Sequence, residues 1–163
     1  MFLKIDGVKG ESLDKAHKDE IEVLAWSWGE SKTTPAQGNA GAAGGRSVSC
    51  ITDLVVTKYI DEATPKLITD TVTNANISSA KLTIRKPGEP PLEYFTITMD
   101  RVTISSYNTG GSSGDDRLTE NIALHFNSAQ GTYTPQDAAG RPGTPIKWSV
   151  SENGGRGNPL CPN

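Results

Sequence analysis

The chain has 163 residues, a formal net charge of −3, 34% hydrophobic residues and 17 glycines. That length fits one domain with a real core, while few apolar residues and many glycines point to turns and to strands with a single buried face. The charge gives no electrostatic case for nucleic acid or an anionic membrane, and no apolar run approaches the roughly 20 residues of a membrane span.

Met1 to Asp6 alternates apolar and polar residues without a continuous apolar stretch or a small-residue cleavage site, so it reads as a strand and not as a signal peptide. Lys9 to Glu20 is charged and turn-like. Glu20 to Gly29 reads as a strong strand, with Leu24, Trp26 and Trp28 on one face and Ile21, Val23, Ala25 and Ser27 on the other. Residues 30 to 46 hold Gly, Ala, Ser, Thr, Pro and Asn with no apolar period, the pattern of a long flexible loop.

Ser47 to Ile60 reads as one strand, with Leu54, Val56 and Ile60 on one face and Val55, Thr57 and Tyr59 on the other. The period then changes. The Thr64 side chain can accept a hydrogen bond from a free backbone amide, Pro65 suits the first helical position, and Leu67, Ile68 and Val72 follow at helical spacing. This predicts one short helix over about 65–74. Ala80 to Lys86, Leu92 to Tyr107, Leu118 to Tyr133 and Ile146 to Val150 read as strands, divided by a Pro/Gly turn at 87–91, a Gly/Ser loop from Asn108 to Asp116 and a Pro/Gly loop at 134–144. The expected architecture is mainly β: a β-barrel of two packed antiparallel sheets with one flanking helix. Such closure removes strand edges. Residues 1–150 form the expected single domain and 151–163 a flexible tail. The two cysteines, Cys50 in a strand-like run and Cys161 in the tail, do not suggest a disulfide framework, so a reduced, cytoplasmic protein is the default.

Little in the chain speaks for catalysis. Gly110-Gly-Ser-Ser-Gly114 matches the pattern of a hydrolase nucleophile elbow, with Ser112 as nucleophile and His17 or His125 as base. The elbow needs a helix after its serine, and Arg117 to Phe126 reads as a strand. A Gly/Ser hairpin loop explains the match without a site. His125 lies between Leu124 and Phe126 and points away from both, which marks a surface or interface histidine. No pair of histidines or cysteines has metal-ligand spacing. Neither a catalytic residue, a metal ligand nor a cofactor is expected.

Eight segments carry a resemblance. They are Phe2-Leu-Lys-Ile-Asp-Gly-Val-Lys-Gly-Glu-Ser12 with His17 and Ile21-Glu-Val-Leu-Ala-Trp-Ser-Trp-Gly29; Asp53-Leu through Asp61 with Ala63-Thr-Pro-Lys-Leu67; and Ala80-Lys-Leu-Thr-Ile-Arg-Lys86, Glu93-Tyr-Phe-Thr-Ile-Thr98, Thr109-Gly-Gly111 and Arg117-Leu-Thr-Glu-Asn121. In this order they resemble the Hcp family, the haemolysin-coregulated tube proteins of bacterial type VI secretion. The likeness departs in the 30–46 loop and the tail.

The resemblance implies a β-barrel of two sheets with one helix, and homohexameric rings stacked into a tube. It implies a contractile sheath around the tube, a VgrG-like spike protein at its tip and secreted effectors carried in the lumen. It also implies export from the bacterial cytoplasm without a signal peptide. A phage-like tail tube subunit is the alternative. A heterologous contact closes into a ring or runs on as a filament, and a tube needs one of each. The 30–46 and 108–116 loops are the expected stacking contacts, through Thr33, Gly38, Gly44, Gly110, Ser112 and Asp115. Ser27 and Ala25, small residues beside the tryptophans, are the expected lumen and effector contacts.

Overall fold

The computed structural model describes residues 1–33, 48–88 and 91–151. In chain order the elements are β1 (Phe2–Ile5), β2 (Ile21–Ser27), β3 (Glu30–Thr33), β4 (Val48–Ile51), β5 (Leu54–Tyr59), α1 (Thr64–Thr73), β6 (Ile77–Lys86), β7 (Leu92–Gly110), β8 (Thr119–Tyr133) and β9 (Ile146–Ser151). Strand order is β5-β2-β1-β6-β7-β8-β9, and β5 also pairs with β8. Six antiparallel strands therefore close on themselves, and the expected barrel forms with its hydrogen bonding continuous around the wall.

The long β8 makes this possible. Its first half pairs with β5, from Tyr59↔Thr119 to Leu54↔Leu124, and its second half with β9, from Ser128↔Ser151 to Tyr133↔Ile146. Inside lie Leu3, Ile21, Leu54, Val56, Leu82, Ile97, Ile122 and Leu124, all fully buried. Where β9 diverges from β5, aromatic rings fill the seam. Trp28 stacks on Trp148 at 5.5 Å, Trp148 meets Phe95 at 6.3 Å, and Phe95 stacks on Trp26 at 5.9 Å.

Three local expectations are corrected. Trp26 and Trp28 were expected to share a face with Leu24, opposite Ile21 and Val23. A register shift between Val23 and Ala25 reverses the alternation, so both tryptophans pack against the core while Leu24 and Ala25 are exposed. The single strand expected over 47–60 is two. β4 pairs with β3 from Glu30↔Ile51 to Thr33↔Val48, and the break at Thr52 is held by its hydroxyl, which donates to the Gly29 carbonyl and accepts from the Gly29 N–H. The expected loop thus begins as a hairpin; residues 34–47, with Gly38 and Gly44, lie outside the described residues, as does the tail from 152 with Cys161. Finally, Cys50 is buried and disulfide-bonded, contrary to the reduced chain expected. Chain separation carries no information about which sulfurs tertiary structure brings together.

Candidate functional site

Ala25 and Ser27 stand exposed on the outer wall of β2. Across the ladder Ala25 faces Thr57 and Ser27 faces Val55, and these in turn face Asn121 and Ala123 of β8. The six side chains form a patch of small to medium size with no charge. Thr33 ends β3, and Gly110 ends β7. Ser112 and Asp115 lie in the tip beyond it. That tip is a hydrogen-bonded turn, because the Asp115 carboxylate accepts from the Ser112 N–H at 2.8 Å and the Asp115 N–H donates to the Ser112 carbonyl at 3.1 Å.

The ladder also fixes where the two loops lie. The β3–β4 hairpin is joined to the barrel between Ser27 and Leu54, while the 110–118 tip leaves it at the Tyr59↔Thr119 pair. The two sit at opposite ends of β5, about 20 Å apart for a six-residue strand.

The hydrolase pattern does not assemble. β8 and not a helix follows the Gly-rich tip, and the Gly110↔Thr119 pair lies six ladder positions from Thr103↔His125, about 20 Å. His125 Nδ1 lies 3.0 Å from Asp53 Oδ1, and it is the Ser105 hydroxyl that donates to the other oxygen of Asp53. The same Ser105 hydroxyl also donates to the Ala123 carbonyl at 3.2 Å. Among the described residues no group of three His, Cys, Asp or Glu side chains is placed to hold a metal, and no helix is long and apolar enough to cross a membrane.

The strongest electrostatic feature escaped the sequence reading. Lys58 and Glu120 are both fully buried, 2.7 Å apart. The ammonium also donates to Asp61 Oδ1 and the Tyr59 carbonyl, each at 2.7 Å, which uses all three N–H bonds. Glu120 accepts in addition from the Thr64 hydroxyl and, at 2.7 Å, from the Tyr107 hydroxyl. Burial first, and the Glu120 carboxylate second, push the Tyr107 hydroxyl up to about 12. The Thr64 hydroxyl does accept from a backbone amide, the Asp61 N–H at 3.1 Å, but that amide precedes the helix; Ala63 is the N-cap, with no side-chain cap bond. The helix also buries Leu67 and Asp70 and leaves Ile68 and Val72 exposed, at 42% and 82%. The signal was there in principle: Lys58 continues the inward series Leu54, Val56, and Glu120 precedes Ile122 and Leu124 on the facing strand.

A second polar cluster fastens residues 9–20 to the barrel. His17, buried, stacks on Phe2 at 4.2 Å, with Nδ1 2.9 Å from Glu20 and Nε2 3.2 Å from Glu93. Arg85 donates to Asp14 and lies over the same Phe2 ring. The Arg85 bond first, and the Ala16 N–H second, hold the Asp14 carboxyl at about 2. A depressed carboxyl contributes stability above its unfolded value, so this fastening weakens as pH falls from about 4 toward 2. Amides of residues 9–20 should then lose hydrogen-exchange protection at pH 2.5 relative to β7, and Asp14→Asn should produce that loss already at pH 5. Equal relative protection at the two pH values would refute the assignment.

The family described as "Type VI secretion system effector, Hcp" matches residues 2–133. Protein hcp1 of Pseudomonas aeruginosa is 48% identical over 157 residues, which cover 94% of this chain and 96% of that protein. Among solved structures, a type VI secretion system effector from Yersinia pestis superposes with a TM-score of 0.72 at 32% identity, covering 92% of this chain and 98% of that one. Hcp1 from Salmonella typhimurium gives 0.73 at 32% identity, covering 92% of each chain.

Proposed function

The chain belongs to the Hcp family of type VI secretion, and from that premise we propose that six copies close into a ring, that rings stack head to tail into the inner tube, and that effectors ride in the lumen. The observation that carries the reading is the placement of the β3–β4 hairpin and the 110–118 tip at opposite ends of the barrel. Head-to-tail stacking requires two different surfaces on two opposite ends. Thr33, Gly38 and Gly44 then belong to one stacking surface and Gly110, Ser112 and Asp115 to the other. Residues 1–150 act as one barrel domain. The subunit is made in the bacterial cytoplasm and leaves within the tube, which a spike tips and a contractile sheath encloses.

Light scattering on a sizing column tests the assembly: six chains of 17.3 kDa give about 104 kDa. Ring-shaped particles at that mass support the reading, and a monomer across a wide concentration range overturns it. The uncharged patch around Ala25 and Ser27 is the proposed lumen wall. Ser27→Asp should then lower effector recovery in a pull-down while the ring mass is kept, and unchanged recovery removes Ser27 from the contact.

A further inference from the structure

We propose that Cys50 and Cys161 form a redox-timed staple: both are thiols while the subunit is in the cytoplasm, and they close into a disulfide once it has been delivered to oxidising surroundings. The inference rests on the export reading above. Cys50 is disulfide-bonded, and the chain has one other cysteine, Cys161, so the bond joins these two. Cytoplasmic thiol pools keep such pairs reduced, whereas extracellular surroundings let them form and persist. A subunit made in the first and released into the second passes through both states.

The bond falls where the fold is weakly held. β3 and β4 pair with each other and join no barrel ladder. A two-stranded hairpin by itself is marginal in water. This one is tied to the wall at its base, where Thr52 bonds with Gly29. Cys50 is 3% exposed although Ser31, directly opposite it, is exposed, so a bond formed there is shielded from attack by external thiols. The loop that the bond closes contains β5, α1 and β6 to β9, and long loops lose the most freedom in the unfolded chain. Closure therefore ties the hairpin to the segment that follows β9, a strand which itself pairs with β8 alone. The step balances with a disulfide-carrying oxidant. The two S–H bonds break, one S–S bond forms in the protein, and two electrons and two protons pass to the oxidant, which leaves as a dithiol. Before closure the hairpin opens and adjusts; after it, the subunit resists unfolding and proteases outside the cell.

Alkylation with N-ethylmaleimide in intact cultures, followed by mass spectrometry, tests the timing. Protein from the cytoplasm should carry two adducts. Protein from the medium should carry none, and its tryptic digest should hold a Cys50–Cys161 peptide pair that dithiothreitol separates. Two adducts on the medium protein, or a bond already closed in the cytoplasm, overturns the proposal. Protein absent from the medium overturns the export reading and the timing with it, while treatment of the purified chain with glutathione disulfide still decides whether the pair closes. Hydrogen exchange on purified rings reads the effect. Amides of β3 and β4 should exchange about tenfold more slowly in the oxidised protein than after dithiothreitol, relative to β7. Cys161→Ser leaves the buried Cys50 in place and should show the faster rate in both conditions, with the ring mass of about 104 kDa kept. Equal exchange in the two redox states overturns the staple while the ring reading stands.

Discussion

Lys58→Met lowers the unfolding free energy by about 3–5 kcal/mol, the cost of leaving a buried carboxylate without its cation. Glu120 is fully buried, and after the change it keeps only hydroxyl donors, Thr64 and Tyr107. Asp61 loses the same ammonium, so the turn that leads into α1 loosens with it. The loss differs in kind from a cavity. Lys58→Met with Glu120→Leu removes both charges, and apolar replacement of a buried pair is often neutral, so the double variant should recover most of the stability. Urea unfolding of the three proteins decides the matter. A single-variant loss below about 1 kcal/mol would mean that water or a shift of Glu120 already compensates the charge. High pH gives an independent view. The raised Tyr107 contributes stability that is complete below about 10 and is lost as pH rises toward about 12, and Tyr107→Phe removes that dependence.

The sequence showed the barrel because its strands alternate and its one helix starts at a proline. Leu54, Val56, Ile122 and Leu124 were legible as inward positions by period alone. What escaped the reading depends on partners far along the chain. The register shift after Val23 reverses the tryptophans, and it is defined only by the pairing of β2 with β5. Lys58 and Glu120 stand at inward positions by period, but as charged residues in apolar series they give no sign of being buried together until the ladder sets Lys58 opposite Glu120. The fastening of Asp14 to Arg85 spans 71 residues and has no local signature. The proposed stacking loops were legible as loops, but only the pairing of β5 with both β2 and β8 puts them at opposite ends.

The aromatic seam makes a second demand that the sequence states only as a glycine in a strand. Gly131 lies between Trp148 and β7, and a Cβ there would come within 2.3 Å of the Trp148 ring and 2.6 Å of the Thr96 carbonyl. Gly131→Ala should cost about 1–3 kcal/mol, the usual range for overpacking. Strand propensity alone favours alanine over glycine, so the sign of the effect identifies its cause. Gly110→Ala is the control, since nothing lies within 4 Å of its Cβ. Adding Trp148→Ala would relieve the ring contact and leave the carbonyl contact, which belongs to the ladder and moves only if β7 and β8 part. The double variant should therefore remain less stable than Trp148→Ala alone. If it equals Trp148→Ala, the ring was the whole obstacle. If Gly131→Ala matches Gly110→Ala, the seam yields freely and Gly131 is no constraint on how β9 packs against β8.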